Sequence, residues 1–128
     1  MSGRHGCLKV YRGAAKNAEV TQRILLYYEL KKAGLTVERE KVVPLFYEGV
    51  KLEQSYRLDL LVQEKIIVEV KAVESITAVH KAQLLSYLKL ASCPIGLLIN
   101  FNVQLLKEGV CRMVNNFSEL PEPAASFT

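Results

Sequence analysis

The stretch RLDLLVQEKIIVEVKAV, residues 57–73, decides the fold. Two runs of alternating and apolar residues flank the polar triplet Gln63-Glu64-Lys65, which predicts a hairpin with a three-residue loop. Folding the hairpin about Glu64 sets Val62 against Ile66, Leu60 against Val68 and Leu58 against Val70. The other face then sets Leu61 against Ile67, Asp59 against Glu69 and Arg57 against Lys71. One face is apolar from end to end. A slip of one residue would mix the two faces, so the hydrophobic pattern selects this register.

The pairing of Asp59 with Glu69 requires a reason. Opposed residues have Cβ atoms roughly 4.5–5.5 Å apart, and like charges there are destabilising. Two carboxylates that close share either a proton or a cation. A hard divalent ion with oxygen ligands, Mg²⁺ above all, would turn the repulsion into a binding site. Lys71, two residues past Glu69, points to the same face. The competing reading is a solvated charge cluster in which Arg57 and Lys71 pair with the two acids.

Downstream of the hairpin, Glu74-Ser75-Ile76-Thr77 breaks the strand, and Thr77 caps a predicted second helix running to about Ala91. Leu84, Leu85, Leu88 and Leu90 give it broad apolar cover. Gln83 and Tyr87 are one turn apart on one face, with His80 a turn earlier. From composition alone these polar groups read as surface or edge residues. Cys93-Pro94 ends the helix, and Ile95–Phe101 reads as a strand buried on both faces, parallel to Ile66–Val73 through a right-handed crossover. Val103–Val114 is ambiguous between a short helix and a strand.

Upstream, Val37–Tyr47 reads as a strand with Pro44 at a bulge or an edge position. The tight turn Glu48-Gly49 returns the chain into the hairpin and completes a three-stranded antiparallel meander. Asn17–Ala33 reads as a helix, with Asn17 as N-cap, Gly34 as the C′ residue, and Val20, Ile24, Leu25 and Tyr28 as its apolar stripe. Glu19 would then lie in the first turn, where the helix dipole favours a carboxylate. The order is αβββαβ, an α/β domain with a mixed sheet of about four strands flanked by helices.

The 128 residues suit one domain with a single core, half of them apolar and 23% charged. Residues 1–13 and 116–128 are expected to be loose. No apolar run is long enough to cross a bilayer, and the N-terminus lacks a signal-peptide core. Cys7, Cys93 and Cys111 fit neither a zinc site nor a disulfide framework, which points to reduced thiols in a cytoplasmic setting. The net charge of +4 is concentrated in Arg4, Lys9, Arg12 and Lys16, all ahead of the first acid, Glu19. That basic arm would suit a phosphate backbone, or be a solvated terminus.

Taken together, these residues resemble the PD-(D/E)XK nuclease superfamily, and more narrowly its GxxExxY protein family. The resemblance rests on Asp59, Glu69 and Lys71 on a hairpin between two helices, with Gln83-x-x-x-Tyr87 on the second. It runs from about Glu19 to Asn115, densest in YELKKAGLTVERE, YRLDLLV, IIVEVKAVESITAVHKAQLLSYLKL and GLLINFNVQLLKEGV. It implies a restriction-endonuclease-like αβββαβ core. It also implies that Asp59 and Glu69 are metal ligands aided by the Val70 carbonyl, with Glu19 contacting the metal directly or through water. Lys71 resembles the catalytic lysine, and Gln83 and Tyr87 the helix residues that orient the substrate backbone or that lysine. The first helix departs from the family motif, since Lys16 and Gln22 stand where it has Gly and Tyr.

The function so implied is hydrolysis of phosphodiester bonds in nucleic acid, more readily DNA than RNA, with Mg²⁺ or Mn²⁺ as cofactor. The alternative is a catalytically inactive module of the same fold that binds nucleic acid or a protein partner. Cutting both strands of a duplex with so small a domain calls for a homodimer or a further partner.

Overall fold

A computed structural model describes residues 15–115, with side chains from residue 17 onward. The expectations for the loose arm with Arg4, Lys9 and Arg12, for Cys7 and for the tail at 116–128 lie outside the described residues, and Lys16 falls within the first helix. The elements are α1 (Ala15–Lys32), β1 (Val37–Tyr47), β2 (Val50–Val62), β3 (Ile66–Lys71), α2 (Ala78–Ala91), β4 (Ile95–Asn100), a 3-10 turn (Leu106–Gly109) and β5 (Val110–Val114). They form one sheet in the order β1-β2-β3-β4-β5. Neighbours are antiparallel except β3 and β4, which run parallel as a strand–helix–strand crossover requires.

The two helices cover opposite faces. On one, Leu84 and Leu88 of α2 meet Leu58, Ile67, Cys93 and Leu98; on the other, Leu26, Tyr27 and Leu30 of α1 meet Val37, Leu60, Val62, Val68 and Val70. Successive residues of β3 and β4 alternate between these cores, as buried strands do. β1 is an edge strand whose register shifts between Pro44 and Phe46, which accounts for a proline inside it. Its turn into β2 holds Glu48 and Gly49 at φ 50° and 81°, the pair of positive angles a two-residue hairpin loop favours.

Thr77 caps α2 as expected. Its hydroxyl accepts from the His80 N–H at 3.3 Å, and the His80 Nδ1 accepts from the Thr77 N–H at 3.0 Å. His80 thus takes the place of the usual Glu or Gln in a capping box, which explains its presence on this helix.

Three readings are resolved or corrected. The ambiguous 103–114 segment is a 3-10 turn followed by a fifth strand, antiparallel to β4 from Ile95↔Val114 to Ile99↔Val110. Gly109 makes this return: a Cβ there would strike the Asn100 carbonyl oxygen. After it, Cys111 and Met113 turn inward against the α2-side core.

The apolar stripe on α1 is the wrong one. Val20, Ile24, Leu25 and Tyr28 are solvent-exposed, and Leu26, Tyr27 and Leu30 face the sheet. The helix is apolar on two sides, so periodicity alone could not choose between them; the polar groups at its start did, as described below. The helix also begins at Ala15, so Asn17 lies inside it and Glu19 is past the first turn. Gly34 is the C′ residue, at φ 93°, with the Leu35 N–H donating to the Leu30 carbonyl at 3.2 Å.

The third correction concerns the central hairpin. Val62↔Ile66, Leu61↔Ile67 and Leu60↔Val68 pair as expected, and the ladder then stops. Leu58↔Val70, Asp59↔Glu69 and Arg57↔Lys71 are not ladder pairs. Leu58 and Leu60, two residues apart, would share a face in a regular strand, yet they enter opposite cores. The cause lies beside them. The β1–β2 register omits the Glu40/Asp59 position, and Glu40 sits at φ 52° within the strand. β2 therefore changes sides at Asp59.

Candidate active site

Where β2 and β3 leave the ladder, side chains take over the backbone groups. The Val70 N–H donates to Asp59 Oδ2 at 2.8 Å, and the Asp59 N–H donates to Glu69 Oε2 at 3.1 Å. Each acid is held by the other acid's strand. This exchange satisfies two donors that the interrupted ladder leaves over, and it keeps the carboxylates side by side without regular pairing. The juxtaposition expected from the sequence therefore exists, by a different geometry.

The electrostatics follow from the placement. Glu69 is 6% exposed. Burial first, and the neighbouring Asp59 charge second, push its carboxyl up to about 8, against the opposing pull of the Asp59 N–H, Lys71 and Arg23. Asp59 is also raised, chiefly by burial, with Glu19 adding to the rise; the Val70 N–H, Arg23 and Lys71 oppose it. Lys71 thus lies within electrostatic range of both acids, although among the described residues it forms no ion pair with either. Its backbone carbonyl accepts from the Phe101 N–H at 2.9 Å, which ties the end of β3 to the end of β4.

Glu19 reaches this end of the sheet from α1. Its Oε2 accepts from the Ala72 N–H at 2.9 Å, just past Lys71. One helical turn later, Arg23 Nη1 contacts Asp59 Oδ1 at 3.3 Å and Nη2 contacts Glu40 Oε2 at 3.5 Å. These contacts set the rotation of α1 about its axis: Glu19 and Arg23 face the sheet, so Leu26, Tyr27 and Leu30 do too. Sequence reasoning missed Arg23. The signal was there, because Glu19 and Arg23 are spaced i, i+4 and must share a face.

On the α2 side, Tyr87 stacks on Tyr56 of β2, with ring centroids 4.8 Å apart and planes 15° from parallel. Its phenol is raised by burial and by the charges of Glu69 and Asp59, which places it in the field of the acid pair. Tyr56 was not foreseen either. Among the described residues its buried hydroxyl has no hydrogen-bond partner, and desolvation pushes it up to about 12. Gln83 lies one turn before Tyr87 but is exposed and makes no hydrogen bond among the described residues. The structure therefore brings together Asp59, Glu69, Val70, Lys71, Glu19 and Tyr87, and leaves Gln83 outside.

The donor set suits a hard divalent cation: two carboxylates side by side, one of them buried and, among the described residues, with no cation bonded to it. Among the described residues no three His, Cys, Asp or Glu side chains gather as a ligand cluster. The fit is thus to two protein carboxylates, with Glu19 bonded to the backbone instead. No helix among the described residues is long and apolar enough to cross a membrane.

No curated protein and no solved structure matches the chain. The family model of the PD-(D/E)XK nuclease superfamily matches residues 6–113, a span that includes both acids, Lys71 and the two helices, and the chain belongs to that superfamily.

Proposed function

We propose that the protein is a Mg²⁺-dependent nuclease that hydrolyses phosphodiester bonds in DNA, with Mn²⁺ able to replace Mg²⁺. The observation that carries this reading is the reciprocal clamp of Asp59 and Glu69 beside Lys71. Asp59 and Glu69 would hold the ion, with the Val70 carbonyl assisting and Glu19 acting through water. Bound there, such an ion would supply positive charge to polarise a phosphoryl oxygen and acidify water. Lys71 positions the attacking water and neutralises negative charge as it builds on the phosphoryl oxygens. Tyr87 orients the substrate backbone from α2, and Gln83 joins it once substrate covers that exposed face. Within the superfamily we place the chain with the GxxExxY proteins, as one cytoplasmic domain that pairs as a homodimer when both strands of a duplex are cut.

Cleavage of plasmid and single-stranded DNA, with and without Mg²⁺, tests the assignment. Wild-type protein should cut, and Asp59→Ala and Lys71→Ala should each lose at least about a hundredfold in rate. Variants as active as the wild type would overturn it.

A second reading has its own support. Arg23 already contacts Asp59, and Gln83 stands away from the acids, as suits a module that binds nucleic acid or a protein partner without cutting. Titrating Mn²⁺ into the chelator-treated protein separates the two. Uptake abolished by Glu69→Gln favours the enzyme; no uptake with DNA affinity intact favours the module.

A further inference from the structure

Arg23 stands between two carboxylates, one in the candidate site and one outside it. Its guanidinium touches Asp59 Oδ1 at 3.3 Å through Nη1 and Glu40 Oε2 at 3.5 Å through Nη2. Glu40 belongs to the edge strand β1, is about half exposed, and has a second cation, Arg57 Nη1, 3.7 Å from its other oxygen. Both Arg23 contacts are long. Charge-assisted N–H···O bonds run to about 2.7–2.9 Å, and a fork clamped on one carboxylate makes two of them. This guanidinium instead divides itself between two acids and is tightly bonded to neither. Its position is also chemically pointed. A cation beside Asp59 relieves the repulsion between a buried acid and a largely buried one, which is the service a divalent ion would perform there.

The geometry points to Arg23 as a displaceable internal cation that guards the acid pair, with Glu40 as the seat to which it withdraws when a divalent ion takes its place. The inference rests on the reading of Asp59 and Glu69 as the metal ligands. Arg23 is on this account a positioning residue and not a catalytic one: it keeps Asp59 aligned in the metal-free protein and sets how much divalent ion is needed to load the site. Glu40 then has a function that explains why an acid stands at the point where the β1–β2 ladder is interrupted. It draws the guanidinium outward and so favours loading.

Two substitutions should move ion affinity in opposite directions. Isothermal titration of Mg²⁺ and of Mn²⁺ into the full-length, chelator-treated protein should show Arg23→Gln binding at least about fivefold more tightly than wild type, since a like charge has been removed from beside the ion. Glu40→Gln should bind several-fold more weakly, because Arg23 then rests wholly on Asp59. The double variant should match Arg23→Gln alone. A purely structural arginine would give the opposite sign, with looser binding once Asp59 loses its support. Tighter binding by Arg23→Gln together with silence of Glu40→Gln in that background supports the proposal.

Unchanged or weaker binding by Arg23→Gln overturns it. So does a loss from Glu40→Gln that persists in the double variant, for then Glu40 acts through its own field. If the wild type binds and Glu69→Gln abolishes that binding, failure of the Arg23 series counts against the guard alone. If no form of the protein takes up either ion, the metal-site reading falls and the guard falls with it. Glu40→Gln alters a half-exposed side chain, and Arg23→Gln and the double variant are titrated below their melting temperatures, checked by circular dichroism, so every comparison is made on folded protein.

Discussion

The two helices lie on opposite faces of one sheet and meet it in different ways. α2 behaves as an amphipathic helix should: a capping box fixes its start, and Leu84 and Leu88 are driven into the core at 1% and 0% exposure. α1 leaves Val20, Ile24, Leu25 and Tyr28 in solvent and turns Glu19 and Arg23 toward the strands. The contrast teaches that α2 is oriented by its core leucines, even though it also carries Tyr87 to the site, whereas the first half of α1 is oriented by the site itself. Burying the polar pair of α1 sacrifices hydrophobic area on its outer face, a cost that is reasonable where the polar pair organises the acids on β2 and β3.

Substitutions on the two helices should therefore differ in kind. Leu88→Ala, which opens a cavity in the core under α2, should cost about 2–5 kcal/mol in urea denaturation. Leu25→Ala, on the exposed side of α1, should change stability by no more than about 0.5 kcal/mol. Equal losses at the two positions would remove the distinction.

A second contrast is between the acids and everything around them. The folded protein raises the Glu69 carboxyl from the ordinary range near 4.5 to about 8. Between those values the native state binds a proton that the unfolded chain has released. Glu69 therefore favours folding fully below about pH 4.5, and that contribution is lost as pH rises toward 8. In chelator-treated protein, stability should fall by on the order of 2–4 kcal/mol across this window, and Glu69→Gln should flatten most of the slope. A wild-type profile as flat as the variant's would show that the acid is not held in a desolvated pair.

The N-terminus of α2 gives a smaller test. Thr77→Ala removes the cap and should cost about 1 kcal/mol while leaving DNA cleavage per folded molecule unchanged. A large loss of activity at unchanged stability would mean that this end of α2 belongs to the site.

Much of this was legible in the sequence. The meander, the parallel crossover and the cap at Thr77 all follow from alternation, loop length and residue type. The acid pair was legible as well, because two carboxylates at opposed strand positions are conspicuous against an apolar pattern. The local geometry was not. The interruption at Glu40 and Asp59 is invisible to a reading based on period two, since the residues on either side keep the alternation and only the backbone angle at Glu40 breaks it. The orientation of α1 was hidden for a related reason: hydrophobicity ranks faces by burial, and this helix is oriented by two polar contacts. Arg23 went unseen because its i, i+4 spacing from Glu19 shows only that the two share a face, and nothing in the helix says which acid of the sheet that face meets. β5 was ambiguous because it is five residues long and its outer face carries valines at both ends.

The most direct test is a crystal of the protein soaked with Mn²⁺, with anomalous difference density calculated around the β2–β3 junction. The account predicts a peak between the Asp59 and Glu69 carboxylates, within about 2.0–2.4 Å of an oxygen from each, and none in Glu69→Gln. A fully occupied Mn²⁺ elsewhere on the molecule, with Asp59 still held by the Val70 N–H and Arg23 and Glu69 by the Asp59 N–H, would contradict it.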